Sequence, residues 1–209
     1  MTSRRSLIRR SALVAAAGAT ALVLAACSSS SSSGHDMSSM DSSSTPSASA
    51  SASAGAHNAQ DVAFAQQMIT HHRQAIEMAD LAATRASSSE VKSLATTIKG
   101  AQDPEIKTMS GWLTSWGAAV PQDMKGMDMS SGMPGMMSAA DMTKLDKASG
   151  TEFDTMFLQM MVQHHQGAVE MAKTEQSKGE YGPAKTLAAS VITAQTAEIN
   201  QMNTLLKKS

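Results

Sequence analysis

The side chains of this chain that could do chemistry lie in two copies of one segment. Residues 68–79 return as residues 161–172, and each copy holds a histidine pair, His71–His72 and His164–His165, at an offset of 93 positions. Four of the six histidines lie in these pairs, with methionines beside them. Imidazole nitrogen and thioether sulfur are donors that transition metals accept. The pattern therefore points to transition-metal binding by these side chains.

The repeat extends well beyond the histidines. Further equivalent positions are Phe64 and Phe157, Gln102 and Gln195, Glu105 and Glu198, and Met109 and Met202. The folded part is therefore expected to be one domain, residues 58–209, made of two repeats at about 58–116 and 151–209.

Helical periodicity runs through both repeats, and no useful β-alternation is present. We predict an all-α fold: a four-helix bundle made of two helical hairpins joined by a Met-rich loop. Capping patterns begin at Asn58, at Ser87–Glu90 and, by the repeat, at Thr151. Pro104 falls inside the second helix. A short extra helix is expected over about 139–148.

At 100° per residue, His72 and His165 lie in the inward stripes of their helices, whereas His71 and His164 lie on the flanks. Gln102 and Glu105, with their counterparts, interrupt the apolar stripes of the partner helices. A buried carboxylate or amide needs a partner, and the inward histidines are the natural ones. Glu105 and Glu198 could orient imidazoles that bind a metal. They could equally form a structural network that fixes the register of the helices.

The segment between the repeats is rich in Gly, Ser and Met and has no helical period. It carries six methionines: Met124, Met127, Met129, Met133, Met136 and Met137. We favour a role in capturing a soft metal for these thioethers; the alternative is a hydrophobic loop that lies back on the bundle.

The first 26 residues read as an export signal, with four arginines ahead of an apolar run too short to span a bilayer. The run ends at Cys27 in a lipobox pattern, which predicts lipidation and anchoring to the outer face of the cytoplasmic membrane. Arg4–Arg5 also fits a twin-arginine signal, so the export route stays open. Residues 27–57, rich in Ser and Ala, are expected to be a disordered tether.

The composition narrows the possible functions further. Cys27 is the single cysteine, so a metal site in the domain would have no thiolate ligand. Loss of the first 26 residues removes four arginines and no acid, which moves the net charge from −1 to −5 and argues against a nucleic-acid partner.

These motifs resemble the family called domain of unknown function 305, over about residues 60–206. The resemblance implies a ferritin-like, exported protein, often linked to copper. The histidine and methionine positions that it implies as metal ligands are His71, His72, Met68, Met78, His164, His165, Met161 and Met171. Gln102, Glu105, Met109, Gln195, Glu198 and Met202 are expected to support or complete the site. The second repeat has Leu205 where the first has Trp112, so the two halves differ in one motif position.

We therefore expect a lipoprotein, not an enzyme, that binds copper, mainly Cu(I) with Cu(II) possible, for sequestration or handling. A copper-handling protein partner is conceivable but unspecified. The alternative is a structural or partner-binding helical lipoprotein without metal. A di-iron enzyme is disfavoured because no Glu-x-x-His motif occurs, and a serine hydrolase because no Gly-x-Ser-x-Gly occurs.

Overall fold

The computed structural model describes residues 55–122 and 132–208, and these are predominantly helical. Five helices follow one another along the chain: α1 (Ala59–Arg85), α2 (Ser89–Ser115), α3 (Ala139–Lys147), α4 (Gly150–Lys178) and α5 (Gly182–Leu206). Within those two ranges there is no β-strand. None of the helices found there is both long enough and apolar enough to cross a bilayer. The all-α prediction is confirmed.

Several predicted features lie outside the described residues. These are the export signal, Cys27, the tether up to residue 54, and Met124, Met127 and Met129 of the linker.

Local sequence signals set most of the helix boundaries. The Asn58 side chain accepts hydrogen bonds from the first turn of α1, and its own backbone N–H donates to Asp61 at 2.6 Å, which completes a capping box. Ser88 caps α2, and Ser138 caps α3. Pro183 lies in the first turn of α5, where its missing N–H costs no helical bond.

The predicted cap at Thr151 is wrong. Ser149 is the N-cap of α4, and the helix is already under way from Gly150. Repeat equivalence misled here because α4 begins two residues earlier than the position equivalent to the start of α1, so Thr151 lies within its first turn. Asp154 accepts backbone N–H bonds from residues 87–88 at 3.1 and 2.9 Å, ahead of α2.

The inner helices α1 and α4 run antiparallel, and an aspartate near the start of each caps the turn after the other. Asp61 of α1 accepts from the backbone N–H groups of Glu180 and Tyr181 at 3.1 and 2.9 Å. Asp154 of α4 serves the turn between α1 and α2 in the same way. Each hairpin therefore supplies acceptors for backbone N–H groups in the turn of the other hairpin. These hydrogen bonds join the two repeats.

Buried apolar side chains form two clusters. One contains Phe157 and the C-terminal half of α1; the other contains Phe64 and the C-terminal half of α4. On each long helix the polar residues fall between the segments that belong to the two clusters. We call this set the polar layer; it consists of His71, His72, Gln102, Glu105, His164, His165, Gln195 and Glu198.

Candidate metal centre

His71 and His164 meet at the centre of the polar layer. Their ring centroids are 3.7 Å apart, with the ring planes inclined by 41°. The two residues are equivalent in the two repeats, so the local two-fold relation between the repeats passes between their rings. Their exposed fractions are 0% and 1%. The packing of α1 against α4 turns the predicted flank of each helix into an interface, which buries both rings.

Most of the nitrogen atoms of this pair lack a hydrogen-bond partner. His71 Nε2 donates to the carbonyl oxygen of Pro134 at 3.2 Å, which leaves Nδ1 as the acceptor nitrogen. Among the described residues, His71 Nδ1 and both ring nitrogens of His164 have no partner. Buried polar atoms without partners are uncommon because each costs desolvation free energy. Their concentration at one point indicates a site kept for a ligand.

Burial keeps both imidazoles neutral. It lowers the pKa of His71 to about 3, with repulsion from His72 adding to the effect. Burial, followed by repulsion from His71, also places the pKa of His164 well below its usual value of 6.5. A metal must displace any proton on the nitrogen that it binds. At neutral pH these two histidines present lone pairs without that competition.

The second histidine of each pair is oriented by a glutamate from the neighbouring helix. His72 Nε2 lies 2.6 Å from Glu105 Oε2, and His165 Nε2 lies 2.8 Å from Glu198 Oε2. These contacts agree with the inward positions predicted from the helical stripes. A carboxylate can only accept, so Nε2 carries the hydrogen in both histidines. The buried Nδ1 atoms have no partner in the described part of the chain.

The amide side chains of the polar layer are also incompletely satisfied. Gln102 and Gln195 are 3% and 4% exposed. Within the described ranges, neither side-chain oxygen has a hydrogen-bond partner. They add two acceptor oxygens without partners to the polar layer.

Buried methionines flank the histidines along the helices. Met68 precedes His71 by three residues and Met161 precedes His164 by three, so each lies one turn away on the same side of its helix. The thioethers of Met68, Met78 and Met161 are fully buried, and Met171 is 7% exposed. Met109 and Met202 are likewise buried, each in a different apolar cluster.

Carboxylates and histidines alone do not make a metal cage here. Across residues 55–122 and 132–208, no three His, Cys, Asp or Glu side chains gather as a metal-binding group. A carboxylate-rich site of the di-iron kind therefore has no residues to form it in these ranges. A centre based on the histidines would need further ligands of another kind, and the thioethers of methionine are such donors.

Part of the methionine-rich linker lies against this centre. Met136 and Met137 are 7% and 4% exposed, and Met133 is half-buried. The side chain of Gln74 donates to the Met137 carbonyl at 2.9 Å and accepts from the Met137 N–H at 2.8 Å. For these residues the structure agrees with the alternative interpretation, a loop lying back on the helices. Gln74 was not among the predicted site residues. The only sign of its role in the sequence is a glutamine within an otherwise buried stretch.

Solved structures and a family model both match this chain. The family model described as Domain of unknown function (DUF305) matches residues 61–206. A DUF305 protein from Streptomyces coelicolor, considered to be secreted, is 35% identical with a TM-score of 0.65, covering 71% of this chain and 93% of that one. A DUF305 fragment from Deinococcus radiodurans is 29% identical with a TM-score of 0.66, covering 73% and 98%.

CopM in its Cu(II)-bound form is 36% identical with a TM-score of 0.63, covering 71% of this chain and 96% of CopM. CopM has also been solved with Cu(I) and with silver. No functionally curated protein matches the chain significantly. With a family model matching most of its length and relatives above 30% identity, this chain belongs to the DUF305 family.

Proposed function

We propose that this protein binds copper outside the cytoplasm and that His71 and His164 are the central ligands of its copper site. The observation that carries the proposal is the buried contact between these two rings, 3.7 Å apart, with three of their four nitrogens unpartnered among the described residues. A purely structural contact would gain no stability from buried nitrogens without hydrogen-bond partners. Two neutral imidazoles facing each other across a two-fold relation suit a metal ion.

The donor chemistry favours Cu(I) over harder cations. Met68 and Met161 lie one helical turn from the paired histidines, and thioether sulfur prefers soft Cu(I). Imidazole accepts Cu(II) as well, so the site could hold either oxidation state with different ligands. CopM structures with Cu(II), Cu(I) and silver support this choice by similarity.

The proposal places this function in a four-helix bundle of α1, α2, α4 and α5, tethered to the outside of the cytoplasmic membrane through Cys27. The lipobox supports the anchor, and similarity to a DUF305 protein considered to be secreted supports an extracytoplasmic location. No catalytic step is part of the proposed role. Fractionation of cells expressing Cys27→Ser tests the anchor: release from the membrane, or an unprocessed precursor, is the expected result.

A structural role without metal is the second candidate. Its support is the hydrogen bond of His72 with Glu105 and that of His165 with Glu198. These paired contacts alone would fix the register of each hairpin. They leave the unpartnered nitrogens of His71 and His164 unexplained.

Titration with Cu(I) against a chromogenic competing chelator distinguishes the two candidates. The double variant His71→Ala, His164→Ala should lose more than about 100-fold in affinity, since even residues that only orient a ligand contribute 10- to 100-fold. His57→Ala is the matched control, because His57 stacks on Trp116, with ring centroids 4.4 Å apart, outside the polar layer. Equal Cu(I) binding by wild type, double variant and control would contradict the copper site and favour the structural role without metal.

A further inference from the structure

A short part of the linker crosses α1 and α4 directly at the histidine pair. We call residues 132–138 the strap. Its Pro134 carbonyl accepts the hydrogen bond from His71 Nε2 at 3.2 Å. Three residues further on, Gln74 holds the backbone of Met137 through two hydrogen bonds. The strap is therefore fixed to α1 on both sides of Gly135, which has a φ of +76°.

The strap is also pressed against α4 at backbone distance. A Cβ atom on Gly167 would lie 2.0 Å from the carbonyl oxygen of Pro134, and one on Gly135 would lie 2.7 Å from the carbonyl oxygen of Gln163. Only glycine at both positions allows this approach. The strap thus closes the α1–α4 interface one turn from His164.

Both anchoring positions are places where the repeats diverge. Gln74 in the first repeat corresponds to Gly167 in the second, at the offset of 93 residues. One copy supplies the hydrogen bonds to the strap, and the other supplies the room for it. Neither change is needed for the histidine pairs themselves, which both copies retain. The divergence therefore serves the strap.

A cavity opens beside the strap. It has a volume of about 170 Å³, and it is lined in part by Pro134, the strap residue that accepts the hydrogen bond from His71. Its lining includes Met171, together with Glu170, Gln67 and Thr174. Glu170 is exposed, so the cavity pairs a carboxylate in contact with water and a thioether 7% exposed. That combination attracts a cation and then offers a soft donor.

We infer that this cavity is the inlet for a soft monovalent cation and that the strap is the gate between the inlet and the His71–His164 pair; the inference rests on the proposed function. Opening breaks the His71–Pro134 bond and both Gln74–Met137 bonds, and it frees His71 Nε2. It also uncovers the buried thioethers of Met136 and Met137. The ion passes from Met171 to the imidazoles, and the strap closes behind it.

The test combines an apo-state measurement with metal kinetics on the full chain. Gly167→Ala forces Pro134 away, and Gln74→Ala removes two hydrogen bonds without adding an atom to the interface. Each should raise hydrogen exchange at the Met137 amide of the metal-free protein by about tenfold or more. Each should raise the association and dissociation rates of Cu(I) together, by about tenfold, with little change in Kd.

Matched controls are Gly100→Ala, whose added methyl group meets nothing within 4 Å, and Gln201→Ala on the exposed side of α5. Both should behave as wild type. Raised amide exchange with unchanged Cu(I) rates in Gln74→Ala overturns the gate and leaves the copper proposal standing. A wild-type chain that takes up no Cu(I) overturns both.

Discussion

The two repeats share a scaffold and differ where one copy has acquired an additional contact. Both have a histidine pair with a glutamate partner, and both begin with a buried aspartate that caps the opposite turn. By contrast, Gln74 corresponds to Gly167, and Ala82 corresponds to Glu175. The shared positions build the symmetric polar layer. The divergent ones build the strap and a buried acid pair, each found on one side only.

The acid pair joins Glu175 to Asp61. Both are 0% exposed, and Asp61 already accepts backbone hydrogen bonds from Asn58, Glu180 and Tyr181. Burial, then the hydrogen bond and charge of Asp61, raises the pKa of Glu175 to about 8. Burial acts to raise the pKa of Asp61 as well, but its hydrogen bonds outweigh this and hold it below its usual value. Glu175 therefore keeps its proton at neutral pH.

The largest loss of stability should come from the equivalent phenylalanines of the two repeats. Phe157 stacks on Phe153 with centroids 5.8 Å apart, whereas Phe64 borders the cavity, with Gln60 in the place of Phe153. Phe157→Ala should lower the free energy of unfolding by about 4 kcal/mol, and Phe64→Ala by about 3 kcal/mol, since the second site is already less tightly packed. Urea unfolding measures both. An equal or larger loss for Phe64→Ala would contradict this ordering of the two clusters.

The capping aspartates should come next. Asp154→Ala removes the acceptor for two backbone N–H groups and for the Ser87 hydroxyl, so it should cost about 3 kcal/mol. Asp61→Ala should cost about 2 kcal/mol, because loss of this charge also lets the pKa of Glu175 fall towards its usual value, which offsets part of the cost. The same unfolding measurement applies. A greater loss for Asp61→Ala would show that the acid pair stabilises the fold on balance.

Glu175→Gln should change the dependence of stability on pH. The folded pKa of about 8 exceeds the unfolded value of 4.5, so between these pH values the unfolded chain releases a proton that the folded chain keeps. Wild-type stability should fall as pH rises through this window and level off above it. Lys185 and Asp61 are the charged neighbours involved. Glu175→Gln should lack this slope in melting temperature measured from pH 5 to 9, with Glu170→Gln as control.

The smallest effect concerns the cost of keeping His164 unpartnered. His164→Phe replaces a buried imidazole, whose nitrogens have no partners in the described residues, by a ring of similar shape. We expect stability unchanged or raised by about 1 kcal/mol at pH 7. At pH 5 the gain should be larger, because the unfolded histidine is protonated there and the folded one is not. A clear loss of stability at both pH values would contradict a site reserved for a ligand.

Much of this arrangement followed from local sequence rules. The caps at Asn58 and Ser88 and the inward position of His72 on α1 depend on residues within one or two turns. Helical periodicity alone places such residues on a common face. The repeat then extended each prediction to the second copy, since an equivalent residue on an equivalent helix has equivalent neighbours. Repeat equivalence gave the wrong cap at Thr151, because α4 begins two residues earlier than the position equivalent to the start of α1.

By itself, the sequence determined five helices, two repeats and a set of polar residues that must be satisfied between them, because these depend on contacts a few residues apart. The tertiary structure decided that His71 meets His164, that the strap lies over them and that Glu175 lies against Asp61. These contacts join residues 63 to 114 positions apart. Their geometry depends on how α1 crosses α4, and that is set by the packing of both apolar clusters together, which no local periodicity specifies.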